Sequence, residues 1–347
     1  THKIIPPAVL VLLTAGNPKN KNMKAIVCEK YGPPSDLVLK DLPNLRPGEK
    51  EVVVRVKACS LNFPDTLIIQ GKYQYKPELP FTPGSDIAGV VSSIGSAVKH
   101  LKVGDEVFGF VTNGGFAEEV VAPARSVFPK PPQMDNAVGA SFLMAYGTSF
   151  HALKNRARLK EGETLVVLGA SGGVGLAAVE LGKLMGARVI ACASTEDKLA
   201  LCKTYGADEG INYTTEDLKK RIKELTDGKG ADVIYDPVGD KFSEPALRAI
   251  GWEGRFLVVG FAAGEIPKIP LNLALLKGCQ IVGVFWGSWA MQFPNDNMQN
   301  TMELMQWHAE GKLKPHIHAQ YPLAQAHKAM EEMMDRKVRG KIVIDCS

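Results

Sequence analysis

The stretch LGASGGVGL at residues 168–176 is a glycine-rich turn between two segments of different character. It follows the apolar run TLVVLGA at 164–170 and leads into LAAVELGKLMG at 176–186, which has the composition of a helix. A glycine-rich turn alone is a weak signal, because many tight strand-to-helix connections use glycine. Its place between a strand and a helix makes the spacing of its residues informative.

Ala170, Gly172 and Gly175 stand at the spacing of the dinucleotide-binding fingerprint, with alanine in place of the first glycine. Gly172 would let the backbone approach a pyrophosphate, and Gly175 would let the helix pack closely on the strand. Gly173 and Val174 fall in the first helical turn, where N–H groups and the helix dipole favour negative charge. The stretch predicts a turn that holds the pyrophosphate of a nicotinamide dinucleotide.

Apolar runs alternate with helix-like segments beyond the turn. Four further runs are RVIACA at 188–193, ADVIYDPV at 231–238, GRFLVVGFA at 254–262 and QIVGVFW at 280–286. Continuous apolar strands separated by helices are typical of a parallel, doubly wound sheet covered on both faces. We predict an α/β fold with a nucleotide-binding domain over residues 146–286.

The chain before this block is rich in short strands. EVVVRVKACSL at 51–61, SDIAGVVSSIG at 85–95 and GDEVFGFV at 104–111 are separated by proline and glycine clusters. Because the alternating block is internal, we expect the strand-like C terminus to return and complete the first domain. The predicted organisation is an N-terminal extension at 1–22, a β-rich domain at 23–145 with 287–347, and the nucleotide-binding domain at 146–286.

Composition limits the class of protein. The 347 residues include 41 basic and 37 acidic side chains, and no basic stripe interleaved with aromatic residues indicates a nucleic-acid partner. The sequence contains no run of about 18 or more apolar residues, so it does not predict a membrane span. Six cysteines without a CxxC pair suggest reduced thiols in a cytosolic or matrix compartment. We predict a cytoplasmic protein, with a mitochondrial location as the alternative.

The end of the second apolar run bears on the choice of cofactor. RVIACA is followed by Ser194 and Thr195, with Lys198 shortly after, where an NAD-specific site usually has an acidic residue. Hydroxyl groups and a cation suit the 2′-phosphate of NADPH better than a free diol. Alternatively, Ser194 caps the following helix and Lys198 is an ordinary solvated residue. Glu196 and Asp197 oppose the assignment of NADPH, which we nevertheless favour.

These motifs occur together in a known family. The sequence resembles the zinc-free quinone oxidoreductase branch of the medium-chain dehydrogenase/reductase superfamily from about Met23 to its end. The segments that carry the resemblance are SLNFPDTLIIQGKY at 60–73, LPFTPGSDIAGVV at 79–91, VGDEVFGF at 103–110, GASGGVGLAAVELGKLMGARVIA at 169–191, INYTTEDL at 211–218, DPVG at 236–239 and GKIVI at 340–344. The resemblance implies a GroES-like catalytic domain joined to a Rossmann domain that binds NADPH.

The resemblance also indicates how this chain differs from zinc alcohol dehydrogenases of the superfamily. Asn62 stands where those enzymes have a cysteine ligand, and Ser85 and Asp86 stand in place of histidine and glutamate. Without thiolate and imidazole, the usual tetrahedral zinc site is not expected. His316 and His318 are predicted to share one face of a strand, and no nearby cysteine or carboxylate completes a metal site with them. We therefore predict no metal.

The resemblance implies roles for further residues. Asn62 and Thr148 would lie near the nicotinamide, and Tyr73 would line the acceptor pocket as a proton or hydrogen-bond donor; a half-buried aromatic with a solvated hydroxyl is the alternative for Tyr73. Predicted cofactor contacts outside the glycine turn are Ser194, Lys198, Tyr213, Gly260 and Phe261 after the fifth strand, Phe285 and Trp286 at the end of the sixth strand, and Arg336, with Lys337 and Arg339 close enough to compete with it.

Four functions are weighed. An NADPH-dependent quinone reductase is favoured, because an electrophilic acceptor needs no metal to polarise it. An enone or enoyl-thioester reductase would use Tyr73 as the proton donor. The resemblance to crystallin-like members allows a weakly catalytic NADPH-binding protein, and the missing ligands disfavour a zinc alcohol dehydrogenase. The expected partners are a small electrophilic acceptor and a second copy of the chain, with the sixth strand pairing edge to edge; a tetramer is the alternative.

Overall fold

The computed structural model describes residues 22–347, so all but the last residue of the predicted N-terminal extension 1–22 lies outside the described residues. The strands of the described part are β1 (Asn22–Val27), β2 (Val38–Pro43), β3 (Glu51–Leu61), β4 (Asp86–Ile94), β5 (Glu106–Phe110), β6 (Glu119–Pro123), β7 (Val127–Pro129), β8 (Thr164–Leu168), β9 (Arg188–Ala193), β10 (Glu209–Asn212), β11 (Ala231–Asp236), β12 (Ile250–Val258), β13 (Gln280–Gly283), β14 (Ile317–Pro322) and β15 (Lys341–Asp345).

The α-helices of the same part are α1 (Phe63–Ile68), α2 (Asn136–Ala140), α3 (Thr148–Phe150), α4 (Gly173–Leu184), α5 (Glu196–Thr204), α6 (Leu218–Leu225), α7 (Ser243–Arg248), α8 (Asn272–Lys277), α9 (Trp286–Gln292), α10 (Pro294–Ala309) and α11 (Ala326–Met334). Two π-helical segments, Leu143–Gly147 and His151–Ala157, flank α3 and continue it in both directions. Across residues 22–347, none of the helices is long and apolar enough to cross a bilayer.

The chain divides into two units. The first contains the described residues up to Ser141 together with Ile317–Ser347, and the second is Phe142–His316. These boundaries differ from the predicted ones mainly at residues 287–316, which we expected in the first domain. α10 instead packs on the helical segments of the second unit, where the rings of Phe150 and Trp307 have centroids 5.4 Å apart.

The first unit is built on a seven-stranded sheet. Its strand order is β14-β15-β3-β4-β5-β7, and β6 pairs with β3. β3 is the longest strand, and its alternate valines and its C-terminal residues are buried in the core of this unit. The C-terminal strand β15 pairs antiparallel with β3, so that Ile342 lies opposite Leu61. This pairing brings the end of the chain beside the residues that precede α1.

The second unit contains a parallel sheet of six strands in the order β10-β9-β8-β11-β12-β13. Numbered along the chain from β8, this is the order 3-2-1-4-5-6 of dinucleotide-binding folds. β8 lies in the middle with four of its five residues buried, which explains its continuous apolar sequence. The predicted α/β fold is confirmed, and INYTTEDL begins at the end of the short third strand, β10.

Candidate active site

The glycine-rich turn joins β8 to α4 in the predicted strand–turn–helix arrangement. Gly169 has a positive φ of 57°, whereas Ala170 is buried and donates its N–H to the Cys192 carbonyl at 3.0 Å. The left-handed conformation therefore falls one residue before the first position of the fingerprint. This explains why alanine is tolerated at residue 170.

Gly175 is required by the packing of α4 on this turn. A Cβ at Gly175 would lie 2.2 Å from the carbonyl oxygen of Gly169 and 2.9 Å from Cα of Ala170. Both are backbone atoms, so the contact could be relieved only by moving the helix or the turn. The close helix–strand approach predicted for this glycine is therefore present in the fold.

The N terminus of α4 fits a pyrophosphate. The residue before the helix is Gly172, which has no side chain to cap the first N–H groups, and the first turn contains Gly173 and Val174. In the described part of the chain, a Cβ at Gly172 would meet just one group within 4 Å, the Gly169 carbonyl at 3.4 Å, so the space beside this residue is open. Backbone N–H groups and the dipole of a 12-residue helix are together available to an anion.

The end of β9 brings together the residues predicted to select the cofactor. Lys198 Nζ lies 3.2 Å from the hydroxyl oxygen of Ser194, and both side chains are half-buried. Thr195, not Ser194, caps α5 by accepting from the Lys198 N–H at 3.4 Å. The alternative in which Ser194 caps the helix is thus wrong, because the helix begins one residue later than that alternative requires.

The two acidic residues that oppose NADPH also lie at the start of α5. Glu196 accepts a hydrogen bond from the side-chain amide of Asn212 at 2.8 Å, which ties its carboxylate to the end of β10. Tyr213 follows Asn212 and donates its N–H to the Ala193 carbonyl at 3.2 Å, so it lies beside the Ser194 segment. Its ring packs against Phe242 with centroids 4.5 Å apart. Ser194, Lys198 and Tyr213 therefore form one surface at the ends of neighbouring strands.

The ends of the fourth and fifth strands of this sheet are joined through Asp236, which the sequence reasoning did not select. The Asp236 carbonyl accepts from the Gly260 N–H at 3.3 Å, and a Cβ at Gly239 would lie 2.8 Å from the ring of Phe261. The buried Asp236 carboxylate accepts from the N–H groups of Val238 and Gly239 at 2.8 and 2.9 Å. Burial nonetheless raises the pKa of this carboxyl. The DPVG motif at 236–239, which begins with Asp236, was the sequence feature that could have identified this residue.

Phe285 and Trp286 do not close the sixth strand, contrary to the prediction. β13 ends at Gly283, the last sheet contact is Val284 N–H to the Val258 carbonyl at 2.9 Å, and Trp286 is the first residue of α9. The two side chains have opposite environments, since Phe285 is 56% exposed and Trp286 is 5% exposed. Trp286 packs so closely on Gly147 that a Cβ there would lie 2.8 Å from its ring.

Thr148 lies in α3 directly after Gly147 and is buried. Its hydroxyl is 4.0 Å from the sulfur of Met144, one turn earlier in the same helical region. Arg336 follows α11 in the first unit and has a positive φ of 58°. The structure therefore assigns Thr148 to the unit that contains the glycine turn and Arg336 to the other unit.

Asn62 is the centre of a buried polar cluster in the first unit. Its side-chain nitrogen donates to Asp86 Oδ2 at 3.2 Å, and its side-chain oxygen accepts from Lys341 Nζ at 2.5 Å. Lys341 also donates to the Leu61 carbonyl at 3.2 Å. The Asn62 N–H donates to Asp65 Oδ2 at 2.8 Å, in the first turn of α1. Lys341 and Asp65 were not selected from the sequence, although both lie in segments that carry the family resemblance.

Burial changes the acid–base properties of this cluster. The pKa of Asp65 is raised to about 7, mainly because burial disfavours its charged form; hydrogen bonds and the charge of Lys341 oppose this rise. Burial lowers the pKa of Lys341, and the carboxylates of Asp86 and Asp65 oppose that change. Tyr73 is half-buried in the loop after α1, and its pKa is raised by burial and by the charge of Asp65. Asn62 and Tyr73 therefore share Asp65 as a neighbour.

Asn62, Ser85 and Asp86 stand at the positions where zinc enzymes of the superfamily have metal ligands or their neighbours. Asn62 donates to Asp86 and accepts from Lys341, while the carbonyl of the buried Ser85 accepts a backbone hydrogen bond from Val111 at 2.8 Å. Within residues 22–347, no group of three or more histidine, cysteine, aspartate or glutamate side chains is arranged to hold a metal ion.

His316 and His318 have unrelated partners. The ring of His316 packs on that of Tyr205 with centroids 5.9 Å apart, whereas His318 Nε2 lies 3.1 Å from a carboxylate oxygen of Glu332. His316 precedes β14, so the predicted placement of both histidines within one strand is wrong.

Comparisons with known proteins agree with this architecture. The family model described as alcohol dehydrogenase GroES-like domain matches residues 48–132, and the one described as zinc-binding dehydrogenase matches residues 173–307. Finer sequence features, such as WEGRFLVVGFAAGEIP at 252–267, predict a particular likeness to quinone oxidoreductase-like protein 2. The curated relatives confirm this likeness.

Quinone oxidoreductase-like protein 2 homolog from Nematostella vectensis is 40% identical over 94% of this chain and 89% of its own length. Quinone oxidoreductase-like protein 2 from Rattus norvegicus is 34% identical over 99% of this chain and 97% of its own length. The solved structure of Escherichia coli quinone oxidoreductase complexed with NADPH has a TM-score of 0.87 at 29% identity, covering 93% of this chain and 99% of that chain. The chain therefore belongs to the quinone oxidoreductase branch of the medium-chain dehydrogenase/reductase superfamily.

Proposed function

We propose that this oxidoreductase uses NADPH to reduce a quinone without a metal ion. The observation that carries the proposal is the environment of Asn62, where an ammonium group and a carboxylate engage a carboxamide. The family's zinc enzymes have a thiolate at this position. Without a Lewis acid, a substrate that is already electrophilic is the natural hydride acceptor, and a quinone meets this requirement.

The choice of NADPH rests on the second unit. Lys198 and Ser194 lie together at the end of β9, and the nearby Glu196 is engaged by Asn212. A cation beside hydroxyl and backbone donors suits the 2′-phosphate. The NADPH complex of the Escherichia coli relative supports a nicotinamide cofactor for this chain. We assign the pyrophosphate to the open N terminus of α4 and the 2′-phosphate to Lys198.

When bound, NADPH supplies the hydride. Reduction of a quinone to a hydroquinone requires that hydride and one proton, and the chain's own residues would stabilise the charge that develops on the acceptor oxygen. Asn62 would donate a hydrogen bond through its amide nitrogen, and Tyr73 would donate through its hydroxyl. Because the pKa of Tyr73 is raised, its hydroxyl stays protonated at neutral pH and remains a donor. Thr148 would contact the nicotinamide.

We also propose that the chain forms a homodimer through β13. This strand is at the edge of the parallel sheet, and Ile281 on it is 40% exposed. Trp252, Leu271 and Leu275 add large exposed apolar side chains on the segments before and around it. An edge strand that no other described strand covers, flanked by apolar surface, favours pairing with a second copy across a two-fold axis.

The experiment that tests the catalytic proposal follows NADPH oxidation in stoppered cuvettes with quinones, alkenals, enones and enoyl thioesters. We expect turnover with quinones. Turnover confined to enones or enoyl thioesters would instead support the second enzymatic hypothesis, in which Tyr73 delivers the proton. Tight NADPH binding with no turnover of any acceptor would support the binding-protein hypothesis, and stoichiometric zinc in the active protein would overturn the metal-free mechanism.

A further inference from the structure

Lys341 is a buried lysine whose partners explain the position of its ammonium group. Its side chain extends from the first residue of β15, and the residue is 5% exposed. The ammonium group contacts the Leu61 carbonyl and the Asn62 side-chain oxygen, with Asp86 and Asp65 as the nearby opposite charges. Burying a lysine disfavours its charged form and costs free energy. The presence of a lysine at this buried position therefore needs a functional or structural explanation.

The contacts of Asn62 fix which way its carboxamide faces. An ammonium group only donates hydrogen bonds, and a carboxylate only accepts them. The oxygen of Asn62 therefore has to face Lys341, and the nitrogen has to face Asp86. The opposite orientation would put the amide N–H donors of Asn62 against an ammonium group and its oxygen against a carboxylate. One of the two amide hydrogens is used by Asp86, at a nitrogen–oxygen distance of 3.2 Å.

We propose that Lys341 is a positioning residue that holds the Asn62 carboxamide so that the second amide hydrogen is available to the oxygen of the hydride acceptor. This inference rests on the proposed function, because it assigns Asn62 the role of a donor to that oxygen. Lys341 itself touches neither acceptor nor cofactor in this role. Its contribution is an N–H donor to Asn62 from a fixed place in the sheet, and a preorganised donor is more effective than one that must reorient.

Two substitutions separate hydrogen bonding from charge. Lys341→Gln keeps a side-chain N–H donor and removes the charge, whereas Lys341→Met has a similar volume and removes both. If Lys341 positions Asn62, Lys341→Met lowers kcat by about tenfold or more, and Lys341→Gln recovers most of that loss. The Kd for NADPH, measured by fluorescence, stays unchanged in both variants. Equal losses in the two variants would show that charge matters and would overturn the proposal.

Lys341→Met removes a buried positive charge near Asp86 and Asp65, which can prevent folding. The double variant Lys341→Met/Asp86→Asn removes both side-chain charges, so kcat can be measured in it if Lys341→Met alone does not fold. We expect its kcat to remain low relative to the unmodified protein. Lys130→Met is the matched control, because Lys130 is also a buried lysine of the first unit. Its ammonium group donates to the Met134 carbonyl at 2.6 Å and pairs with Glu106. We expect this control to lower stability while the folded protein keeps its kcat.

A readout independent of turnover is the side-chain amide of Asn62 in protein labelled with ¹⁵N-asparagine, assigned by its disappearance in Asn62→Asp. The proposal predicts two resolved amide protons that exchange slowly in the unmodified protein. In Lys341→Met they should broaden or exchange faster, and in Lys341→Gln they should recover. If the unmodified protein reduces no acceptor but these signals respond as predicted, the positioning holds and the proposed function fails. Signals insensitive to Lys341→Met would overturn the positioning.

Discussion

Gly175→Ala is the change that most directly tests the dinucleotide-binding turn. The added Cβ would lie 2.2 Å from the Gly169 oxygen, whereas real Cβ contacts stay beyond 3.0 Å. The turn and α4 must therefore separate by at least about 0.8 Å. Relieving such an overlap typically costs about 1–3 kcal/mol, and backbone atoms on both sides place this case near the upper end.

Alanine is also the better helix former, by about 1 kcal/mol. The net expected destabilisation is therefore about 2 kcal/mol, or a fall in Tm of about 4–8 °C for a unit of this size. Because the same separation moves the first N–H groups of α4, the Kd for NADPH should rise by about tenfold or more.

Differential scanning calorimetry and fluorescence titration with NADPH measure the two effects. Gly287→Ala is the matched control, because Gly287 lies in α9 and a Cβ there would meet nothing within 4 Å among residues 22–347. It should leave NADPH binding unchanged and stability equal or slightly higher. A Gly175→Ala protein as stable as the unmodified one, with the same Kd for NADPH, would refute both the packing and the pyrophosphate assignment.

Three further predictions concern cofactor choice, pH dependence and assembly. Lys198→Ala should raise the Kd for NADPH by about tenfold or more and leave that for NADH unchanged, because the 2′-phosphate loses a charge-assisted contact; equal binding of both cofactors by the unmodified protein would contradict the assignment. Asp65 has a pKa raised from 3.8 to about 7, so between these values the folded state keeps a proton that the unfolded state releases. As pH rises through this window, the free energy of unfolding of the unmodified protein, measured with urea, should fall relative to that of Asp65→Asn. If the free energies of the two proteins vary with pH in parallel, the pKa of Asp65 is not raised. Ile281→Glu should produce a monomer by light scattering, since a charge on the exposed edge strand opposes pairing; an unchanged molar mass, or a monomeric unmodified protein, would argue against this interface.

The sequence is most informative where function is carried by neighbouring residues. The strand, the glycine turn and the helix follow one another from Thr164 to Leu184, so local pattern was enough to predict them. Local pattern was not enough to predict the first residue of α5, because a shift of one residue decides whether Ser194 or Thr195 caps this helix. The end of β13 was misjudged since QIVGVFW is apolar throughout, and composition could not show that a helix begins at Trp286.

The cluster at Asn62 could not be predicted in the same way. Lys341 and Asn62 are 279 positions apart and meet because β15 pairs with β3 in one particular register. A shift of one residue would place the Lys341 side chain on the opposite face of the sheet. The sequence contains the lysine within GKIVI, a strand that would ordinarily be assigned to the core. The role of its charge depends on Asp65 in α1 and Asp86 in β4, which are distant from Lys341 in the sequence.

Charge balance at this cluster supports the proposed absence of a metal. The carboxyl groups of Asp86 and Asp65 favour the charged form of Lys341 against its burial, and a pKa of about 7 leaves Asp65 about half protonated at neutral pH. Buried opposite charges with satisfied hydrogen bonds are tolerated, whereas a divalent cation beside the Lys341 ammonium would add repulsion at low dielectric. A metal at Asn62 would therefore require this ammonium group to move away or lose its proton. In the metal-free reaction that we propose, hydrogen-bond donors would polarise the acceptor oxygen, and the rate would depend on the orientation of Asn62.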